Sequence, residues 1–390
     1  MAYVSTVLNQ LQQLLPISEF ESFVGQHEAD KWTKHFTTKN QLSVMLYAQA
    51  REKTSLRDIA TGLQAQDNAW YHLGIQNVTK STLARANTNR PYEIFESLFY
   101  ELTKKCKILS SGTASFRFEN ALYALDSTYI DLCLKLFPWA HFRTEKGALK
   151  LHTLFNVKNQ IPELIIESDG KTHDIEVARL IDWNTYAKGS IFVMDRAYID
   201  YGWLNEIHQH EHSFVVRLKK NAQILPLKKL PVTEKGILRD QIIEFVLPEA
   251  LENYAEQLRL VEYSDEKTDK TYRFLTNNFH LSAKTIADIY KARWQVELFF
   301  KWIKQHLKIK TFLGTSKNAV MTQIWIAMIY YLLLAWIKHQ THFKGSLLDL
   351  TRIIGEVLLQ NVHVINLLNL KPRSVSRALA RAAPNQLALL

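Results

Sequence analysis

The stretch over residues 290–308, YKARWQVELFFKWIKQHLK, constrains this chain most, because its polar and apolar residues separate at helical spacing. At about 100° per residue, six polar positions share an arc of roughly 80°: Tyr290, Arg293, Glu297, Lys301, Lys304 and Lys308. The opposite arc carries Ala292, Val296, Phe299 and Ile303. This pattern predicts one long helix over residues 281–308, with Ser282 as its cap, that buries one face and exposes the other.

The polar face of this helix carries one carboxylate and four cations. A surface helix stabilised by salt bridges between residues four apart is the general explanation for such a pattern. Here the cations outnumber Glu297, so most of the positive charge is unpaired within the helix. A lone carboxylate inside a basic face is typical of a site that holds a metal ion and a phosphodiester together.

The spacing of four of these residues resembles a family signature. The pattern Tyr-x2-Arg-x3-Glu-x6-Lys is formed by Tyr290, Arg293, Glu297 and Lys304. It is similar to the signature of the DDE transposases of bacterial insertion sequences, in the family numbered four. The resemblance covers roughly residues 115–340 with specific motifs, and the N-terminal part resembles the leader domain of one branch more loosely.

Two upstream segments extend the resemblance to the catalytic residues. They are LYALDSTYIDL, which contains Asp126, and FVMDRAYIDY, which contains Asp195. Together with Glu297 these residues match the DDE triad, so the resemblance implies that they are catalytic and bind the metal. Ala197 stands where glycine is common in the family, and we expect activity to survive because alanine is also small.

The resemblance further implies how DNA is held and cut. Tyr290, Arg293 and Lys304 match the residues that hold phosphates of the transposon end, and we add Lys301 of the same face as a DNA contact. Enzymes of this kind nick the transposon end, and the freed 3′-hydroxyl attacks the opposite strand to form a hairpin. The reopened end then joins target DNA. They act as dimers on paired ends, so the expected partners are double-stranded DNA, both terminal inverted repeats and target, and a second copy of the chain.

An aromatic side chain near the break is expected to stack on a base that leaves the helix. In the family an aromatic residue from the last strand of an insertion does this, and the matching position is Tyr272 in TYRFLT. Phe274 faces the same side of that strand, and Trp294 lies beside Arg293 at the border of the same pocket. The alternative is that Tyr272 and Phe274 only pack the insertion against the catalytic domain.

The residue types around the two aspartates support metal chemistry. Asp126 and Asp195 follow apolar runs, and a carboxylate at the end of a buried strand is costly unless it is paired. A turn or cap residue is the general explanation for one such aspartate, but two of them plus a helical glutamate favour a shared site. Carboxylate oxygens suit Mg²⁺ or Mn²⁺, and three carboxylates can hold two ions per active site, roughly 4 Å apart. Other acids, namely Glu167, Asp169 and Asp174, are predicted to be solvated.

The pattern of elements predicts an α/β fold. Strands are predicted over residues 121–134, 149–157 and 162–166, a helix over 173–181, a strand over 189–195, a helix over 203–209 and a strand over 213–218. The first three strands should form an antiparallel meander, to which helical crossovers add the later strands. The resemblance names this an RNase H-like catalytic domain, interrupted by a β-rich insertion. Within the insertion, the runs DQIIEFVL, EQLRLVEY and TYRFLT are predicted strands, and SDEKTDK is the turn of a hairpin.

These observations divide the chain into five predicted segments. They are an N-terminal helical DNA-binding domain over 1–108, the first part of the catalytic domain over 115–221, the insertion over 222–276, the second part of the catalytic domain over 277–340, and a helical basic tail over 341–390. We expect this tail either to contact phosphates or bridge a dimer, or to be a solvated basic segment.

The N-terminal segment is predicted to be helical, with Thr38, Ser55 and Thr79 or Ser81 as caps. Two short helices followed by a basic end suggest a variant helix-turn-helix, although the connection is longer than the standard turn. A bundle used only for packing or dimerisation is the alternative. The side chains predicted to be exposed for reading bases are Lys80, Arg85, Asn87, Asn89 and Arg90.

Composition narrows the setting. A net charge of +10 indicates a polyanionic partner, with an acidic membrane surface as the competing explanation. The apolar run over residues 324–337 is short of the roughly 20 residues that span a bilayer, so we expect a buried helix and no membrane partner. With only two cysteines, no disulfide framework or cysteine-rich zinc site is expected. The N-terminus does not resemble a signal peptide, which indicates the bacterial cytoplasm, near the nucleoid.

Three functions are consistent with these residues. The first is an active DNA transposase. The second is an RNase H-like nuclease that acts without transposition, which needs neither the basic helix nor the insertion. The third is a catalytically silent DNA-binding regulator of transposition, which is expected to lack a carboxylate, whereas all three carboxylates are present.

Overall fold

The computed structural model describes residues 4–66, 70, 74, 78–110, 116, 118–143, 146–219, 222–306 and 312–369. These residues form a mixed α/β protein with an N-terminal helical region and a mixed sheet. The chain divides into two compact units, of which the first contains Met1–Ser111, Lys135–Trp139 and Trp302–Leu390. The second contains Gly112–Leu134 and Ala140–Lys301. The finer division into five segments stays a prediction.

The helices and strands have the following bounds. The helices are α1 (Val7–Gln13), α2 (Ile17–Gln26), α3 (Thr38–Ala50), α4 (Leu56–Gln64), α5 (Lys80–Asn89), α6 (Glu93–Ser110), α7 (Asp174–Ala178), α8 (Tyr201–Gln209), α9 (Pro248–Asn253), α10 (Ala283–Ala292), α11 (Trp294–His306), α12 (Lys317–Thr341), α13 (Leu347–Val357) and α14 (Val364–Asn369). The strands are β1 (Leu122–Leu132), β2 (His141–Arg143), β3 (Lys146–Asn156), β4 (Ile161–Asp169), β5 (Ile191–Met194), β6 (Ser213–Arg217), β7 (Ile224–Lys229), β8 (Ile237–Phe245), β9 (Leu258–Asp265) and β10 (Lys270–Thr276).

The first unit is built around α12. This helix packs against α3, α5, α6 and α13. It is the one helix of the described residues that is long and apolar enough to cross a membrane, and 89% of its most apolar window is buried inside the protein. The predicted buried helix is therefore confirmed, with wider bounds than the apolar run alone indicated.

Side-chain caps begin the helices of the N-terminal region. Ser55 caps α4 and Thr79 caps α5, as predicted. The cap of α3 is Thr37 rather than Thr38, because the Thr37 side chain and Asn40 form a reciprocal capping box. Lys308 lies outside the described residues, and so does the part of the predicted tail after residue 369.

The second unit contains a sheet whose described strands follow the order β2-β3-β1-β5-β6-β10-β9-β8-β7, with β4 paired to β3. Strands β1, β3 and β4 form the predicted antiparallel meander. Strand β5 then pairs parallel to β1, and β6 pairs parallel to β5. All four residues of β5 are buried, as expected for a parallel strand inside a sheet.

The strands of the predicted insertion continue this sheet. Strand β10 pairs antiparallel with β6, and β9, β8 and β7 follow. The hairpin of β9 and β10 is confirmed, with Asp265 opposite Lys270. Strand β7 was not predicted, because Pro226 indicated a break. It lies at the edge of the sheet, where proline is tolerated, and its pairing shifts register between Pro226 and Lys228. The three-residue strand β2 was also not predicted.

The prediction of one continuous helix over residues 281–308 is wrong. Ser282 caps the segment as predicted, but α10 ends at Ala292 and α11 begins at Trp294. The Arg293 amide donates to the Tyr290 carbonyl at 3.2 Å, and the Val296 amide donates to the Arg293 carbonyl at 3.0 Å. Both bonds span three residues, so the helix tightens at Arg293.

A buried ion pair fixes the start of α10. Arg259 on β9 and Asp240 on β8 are 5% and 4% exposed, and two hydrogen bonds of 2.8 and 2.7 Å join them. The same guanidinium donates to the carbonyls of Asn278 at 3.3 Å and Leu281 at 2.6 Å. These contacts connect the strands to the turn from which the helical segment begins.

We expect Asp240→Ala to lower the free energy of unfolding by about 3–5 kcal/mol, because it leaves the Arg259 charge buried and unpaired. The matched control is Glu266→Ala, which breaks the pair of Glu266 with Lys235, whose side chains are 67% and 81% exposed. This control should change stability by less than about 1 kcal/mol. Chemical denaturation measures both variants, and equal effects would contradict the structural role of the Arg259 pair.

Candidate active site

The register of two parallel strands brings Asp126 and Asp195 side by side. The parallel ladder of β1 and β5 ends with the pair Leu125 and Met194, and the two aspartates are the next residue on each strand. Contrary to the prediction, Asp126 does not end its strand, because β1 continues to Leu132 along β3. The end of the short partner β5, rather than of β1 itself, exposes the site.

Backbone amides hold both aspartates. The Ser127 amide donates to Oδ1 of Asp126 at 2.8 Å. Asp195 caps a single turn of 3₁₀ helix, Arg196–Tyr198, and accepts a hydrogen bond from the Ala197 amide at 2.6 Å. Ala197 itself is exposed.

Glu297 joins Asp126 through Arg293. The Arg293 guanidinium lies 2.5 Å from Oδ2 of Asp126 and 2.7 Å from Oε1 of Glu297. The side chains of Arg293, Asp126 and Glu297 are 14%, 20% and 32% exposed. A single cation therefore bridges a carboxylate of β1 and a carboxylate of α11.

Burial and neighbouring charges act on Asp126 in opposite directions. Burial raises the pKa of Asp126 to about 6, and repulsion from Asp195 and Glu297 adds to this, while Arg293 and the Ser127 amide act in the opposite direction. Burial alone lowers the pKa of Arg293, but the charge of Asp126 and the hydrogen bond to Glu297 outweigh it, so the net pKa is raised.

The donor set suits a hard divalent cation, because three carboxylates supply only oxygen ligands. Within the described residues, however, no group of three or more His, Cys, Asp or Glu side chains is arranged to hold a metal ion. Two of the three carboxylates point instead at the Arg293 guanidinium. The residue types therefore fit Mg²⁺ or Mn²⁺, but in this structure the positive charge of Arg293 neutralises two of the carboxylates.

A series of neighbouring aromatic rings begins beside Arg293 and ends beside a second arginine. The Arg293 guanidinium lies 5.8 Å from the Tyr290 ring, and Phe274 lies 4.6 Å from Tyr290. The ring centroids of Tyr272 and Phe274 are 6.1 Å apart. The Arg217 guanidinium lies 4.9 Å from the centroid of the Tyr272 ring. Phe274 is buried, so it packs as the alternative interpretation predicted, whereas Tyr272 is half-buried.

The two faces predicted for the helical segment are confirmed in α11. Val296, Phe299 and Ile303 are buried. Lys301 and Lys304 are exposed and form no ion pair within the described part of the chain, and Trp294 is 57% exposed. These three side chains are accessible to a partner molecule.

Two side chains predicted to be exposed in the N-terminal region are buried. The Arg90 guanidinium donates to the Thr37 carbonyl and to Gln41 at 3.1 Å each and to the Phe36 carbonyl, and it pairs with Asp30 at 3.4 Å. Asn87 is also buried, and it accepts a hydrogen bond from Gln41 at 2.8 Å. Lys80, Arg85 and Asn89 are exposed as predicted.

Sequence reasoning missed a buried polar cluster on the opposite face of β1 from Asp126. The Asp174 carboxylate lies 3.1 Å from Nζ of Lys150 and 3.3 Å from Nδ1 of His152, and both partners are 3% exposed. Burial raises the pKa of Asp174, but hydrogen bonds from His152, Ser127 and Lys150 outweigh it and lower the pKa. The prediction that Asp174 is solvated is therefore wrong. The signal was the pair Lys150 and His152, which are two residues apart and so share one face of β3.

Comparison with known proteins gives the following similarities. A family model described as a transposase DDE domain matches residues 118–333, and one described as a domain of unknown function (DUF4372) matches residues 4–76. The chain is 29% identical over 343 residues to the probable transposase for insertion sequence element IS5377 of Geobacillus stearothermophilus, covering 86% of each chain. It is also 29% identical over 312 residues to the putative transposase y4zB of Sinorhizobium fredii, covering 78% of this chain and 84% of that protein. A cryo-EM structure of the piggyBac transposase synaptic complex with hairpin DNA matches with a TM-score of 0.47 at 10% identity, over 98% of this chain and 87% of that chain.

The raised pKa of Asp126 predicts a pH dependence of stability. Because folding favours the protonated carboxyl, this group stabilises the fold below about pH 4 and loses that contribution as the pH rises through about 6. In metal-free protein, the free energy of unfolding of Asp126→Asn minus that of the wild type should therefore rise by up to roughly 3 kcal/mol between pH 4 and 7. Chemical denaturation across this range measures the difference, and parallel pH profiles would contradict the raised pKa.

Proposed function

The chain belongs to the DDE transposase family, whose domain it carries over residues 118–333, and from this premise we propose that it cuts the ends of an insertion sequence and joins them to target DNA. The protein is thus an enzyme that acts on DNA. The observations that support the proposal are the Arg293 bridge between Asp126 and Glu297 and the strand register that sets Asp195 beside Asp126.

In this proposal the three carboxylates are the metal ligands of the reaction. DDE transposases generally depend on divalent metal. When bound, Mg²⁺ or Mn²⁺, with two ions per site, supplies activation of the attacking oxygen and stabilisation of the leaving oxygen. The protein's part is to hold the ligands in place, through the Ser127 and Ala197 amides at the two aspartates.

The surrounding strands support an RNase H-like catalytic domain. Strands β4, β3, β1, β5 and β6 lie in that order, with an antiparallel meander followed by two parallel additions. The parallel pairing places the carboxyl end of β5 next to Asp126, which lies inside β1. We take this order as the framework of the catalytic site.

Arg293 and the exposed lysines of α11 hold phosphates of the transposon end in this proposal. Arg293 presents a fork of donors suited to phosphate oxygens, and the Tyr290 ring lies beside it. Lys301 and Lys304 are exposed on the same helix as Glu297. Tyr290, Arg293 and Lys304 belong to the Tyr-Arg-Glu-Lys pattern, and the net positive charge of this segment suits a polyanion.

Tyr272 is the proposed stacking platform for a base displaced during hairpin formation. Its ring is half-buried and carries Arg217 at 4.9 Å, and aromatic stacking offsets about 1–3 kcal/mol per base. Exposed Trp294 is the second aromatic side chain proposed to contact DNA.

Further contacts are proposed for the N-terminal region and for the assembly. Lys80 and Arg85 are exposed around α5 and are the proposed DNA contacts there, whereas Arg90 spends its donors inside the protein. We propose a homodimer on paired ends in the bacterial cytoplasm, since inserting both ends of an element requires two active sites.

The test is Mg²⁺-dependent cleavage and joining of labelled DNA that carries the ends flanking this gene. Asp126→Ala should lose cleavage by about a thousandfold or more, since the metal supplies several kcal/mol of transition-state stabilisation, while DNA binding remains. The matched control is Asp131→Ala, which removes an exposed carboxylate from the same strand and should cleave normally. Cleavage by Asp126→Ala at the control rate would contradict the mechanism, and hydrolysis without joining in the wild type would indicate a nuclease. A wild type that binds these ends but neither cleaves nor joins them would indicate a regulator.

A further inference from the structure

Arg293 has an unusual position among the charges of the active site. Its guanidinium contacts Asp126 and Glu297 at once, at 2.5 and 2.7 Å. An arginine presents five donors in a rigid fork, so one side chain can bridge two carboxylates. Arg293 therefore takes the place of a cation between two proposed metal ligands.

The backbone around Arg293 is a second, independent observation. The helical segment tightens at this residue, with hydrogen bonds that span three residues on both sides. Such a tightened turn inside a helix often marks a hinge. Within the described residues, the buried Nε of Arg293 has no hydrogen-bond partner, and an unfilled buried donor costs free energy. The side chain is therefore not fully satisfied where it lies.

Metal and Arg293 compete for the same oxygens. A divalent cation that bridges Asp126 and Glu297 takes the place of the guanidinium, which now donates to Oδ2 of Asp126 and Oε1 of Glu297. A DNA phosphate is an alternative acceptor for the guanidinium, because it is negatively charged like a carboxylate. Moving the fork from carboxylate to phosphate frees the metal ligands and keeps the cation paired.

We propose that Arg293 is the resident counter-cation of the DNA-free site and that a phosphate of the transposon end draws it off Asp126 and Glu297, so that DNA-end binding and divalent-metal binding are coupled through one side chain. The inference rests on the proposed function. By thermodynamic reciprocity, the DNA end raises the affinity for metal by the same factor by which metal raises the affinity for the DNA end. Arg293 thus holds the metal ligands in place in the free protein and releases them when the DNA end binds.

The experiment is a titration of the full-length protein with Mn²⁺, in which electron paramagnetic resonance measures free Mn²⁺. It is run with and without a short duplex that carries one end flanking this gene, under conditions that do not require turnover. For the wild type we expect the duplex to raise the Mn²⁺ affinity by a factor in the range of roughly 5- to 150-fold that is typical of coupled sites. For Arg293→Gln we expect tight Mn²⁺ binding without DNA and little further gain with the duplex.

Two further variants control this result. Lys291→Gln removes an exposed positive charge two residues away without touching the carboxylates, so it accounts for a general charge effect and should keep the gain with DNA. Arg293→Lys keeps the charge but not the fork, so it should bind Mn²⁺ more tightly than the wild type without DNA. It also provides the test if Arg293→Gln does not fold.

The inference is overturned if the wild type binds Mn²⁺ equally well with and without the duplex, or if neither Arg293 variant binds it more tightly than Lys291→Gln. Asp126→Asn in the same titration separates this failure from a failure of the proposed function. Unchanged Mn²⁺ binding by Asp126→Asn would mean that the proposed metal site is wrong. Lost binding by Asp126→Asn together with unchanged Arg293 variants would contradict the coupling alone.

Discussion

The compensation of the partly buried carboxylates of Asp126, Asp195 and Glu297 is the constraint on which the proposed site depends. A buried carboxylate costs free energy unless hydrogen bonds or an opposite charge compensate it. A different element supplies each compensation: the amide after Asp126 on β1, the turn after Asp195 at the end of β5, and Arg293 between α10 and α11. The parallel ladder aligns the two aspartates, and the buried Arg259 pair holds the start of α10 against the sheet. The strands thus position all three sources of compensation.

The sequence predicted those parts of the fold that depend on local patterns. Alternating apolar residues located the meander and the hairpin of β9 and β10, and short polar side chains located the starts of α4, α5 and α10. The apolar runs before Asp126 and Asp195 indicated that they are held near a core, and the helical spacing of residues 290–308 indicated a polar face with Glu297. The recognition of the triad also needed the family resemblance, since each aspartate alone has a simpler explanation.

Most of the differences from the predictions depend on contacts between residues far apart in the chain. The tightened turn at Arg293 accompanies a bridge to a strand residue 167 positions away, and no helical propensity predicts it. Arg90 is buried by tertiary partners and Asp174 is paired with buried ones, although their sequence neighbourhoods are those of surface residues. Strand β7 depends on pairing with β8, which allows an edge strand where Pro226 indicated a break.

The central claim is that Asp126, Asp195 and Glu297 form the metal site of an insertion-sequence transposase and that Arg293 leaves them when DNA binds. The most direct measurement is a crystal structure of the protein with a transposon end and Mn²⁺, with the metal located by its anomalous scattering. The account predicts anomalous peaks coordinated by the three carboxylates, with the Arg293 guanidinium on a DNA phosphate. Mn²⁺ bound away from these carboxylates, or bound while Arg293 still bridges Asp126 and Glu297, would contradict it.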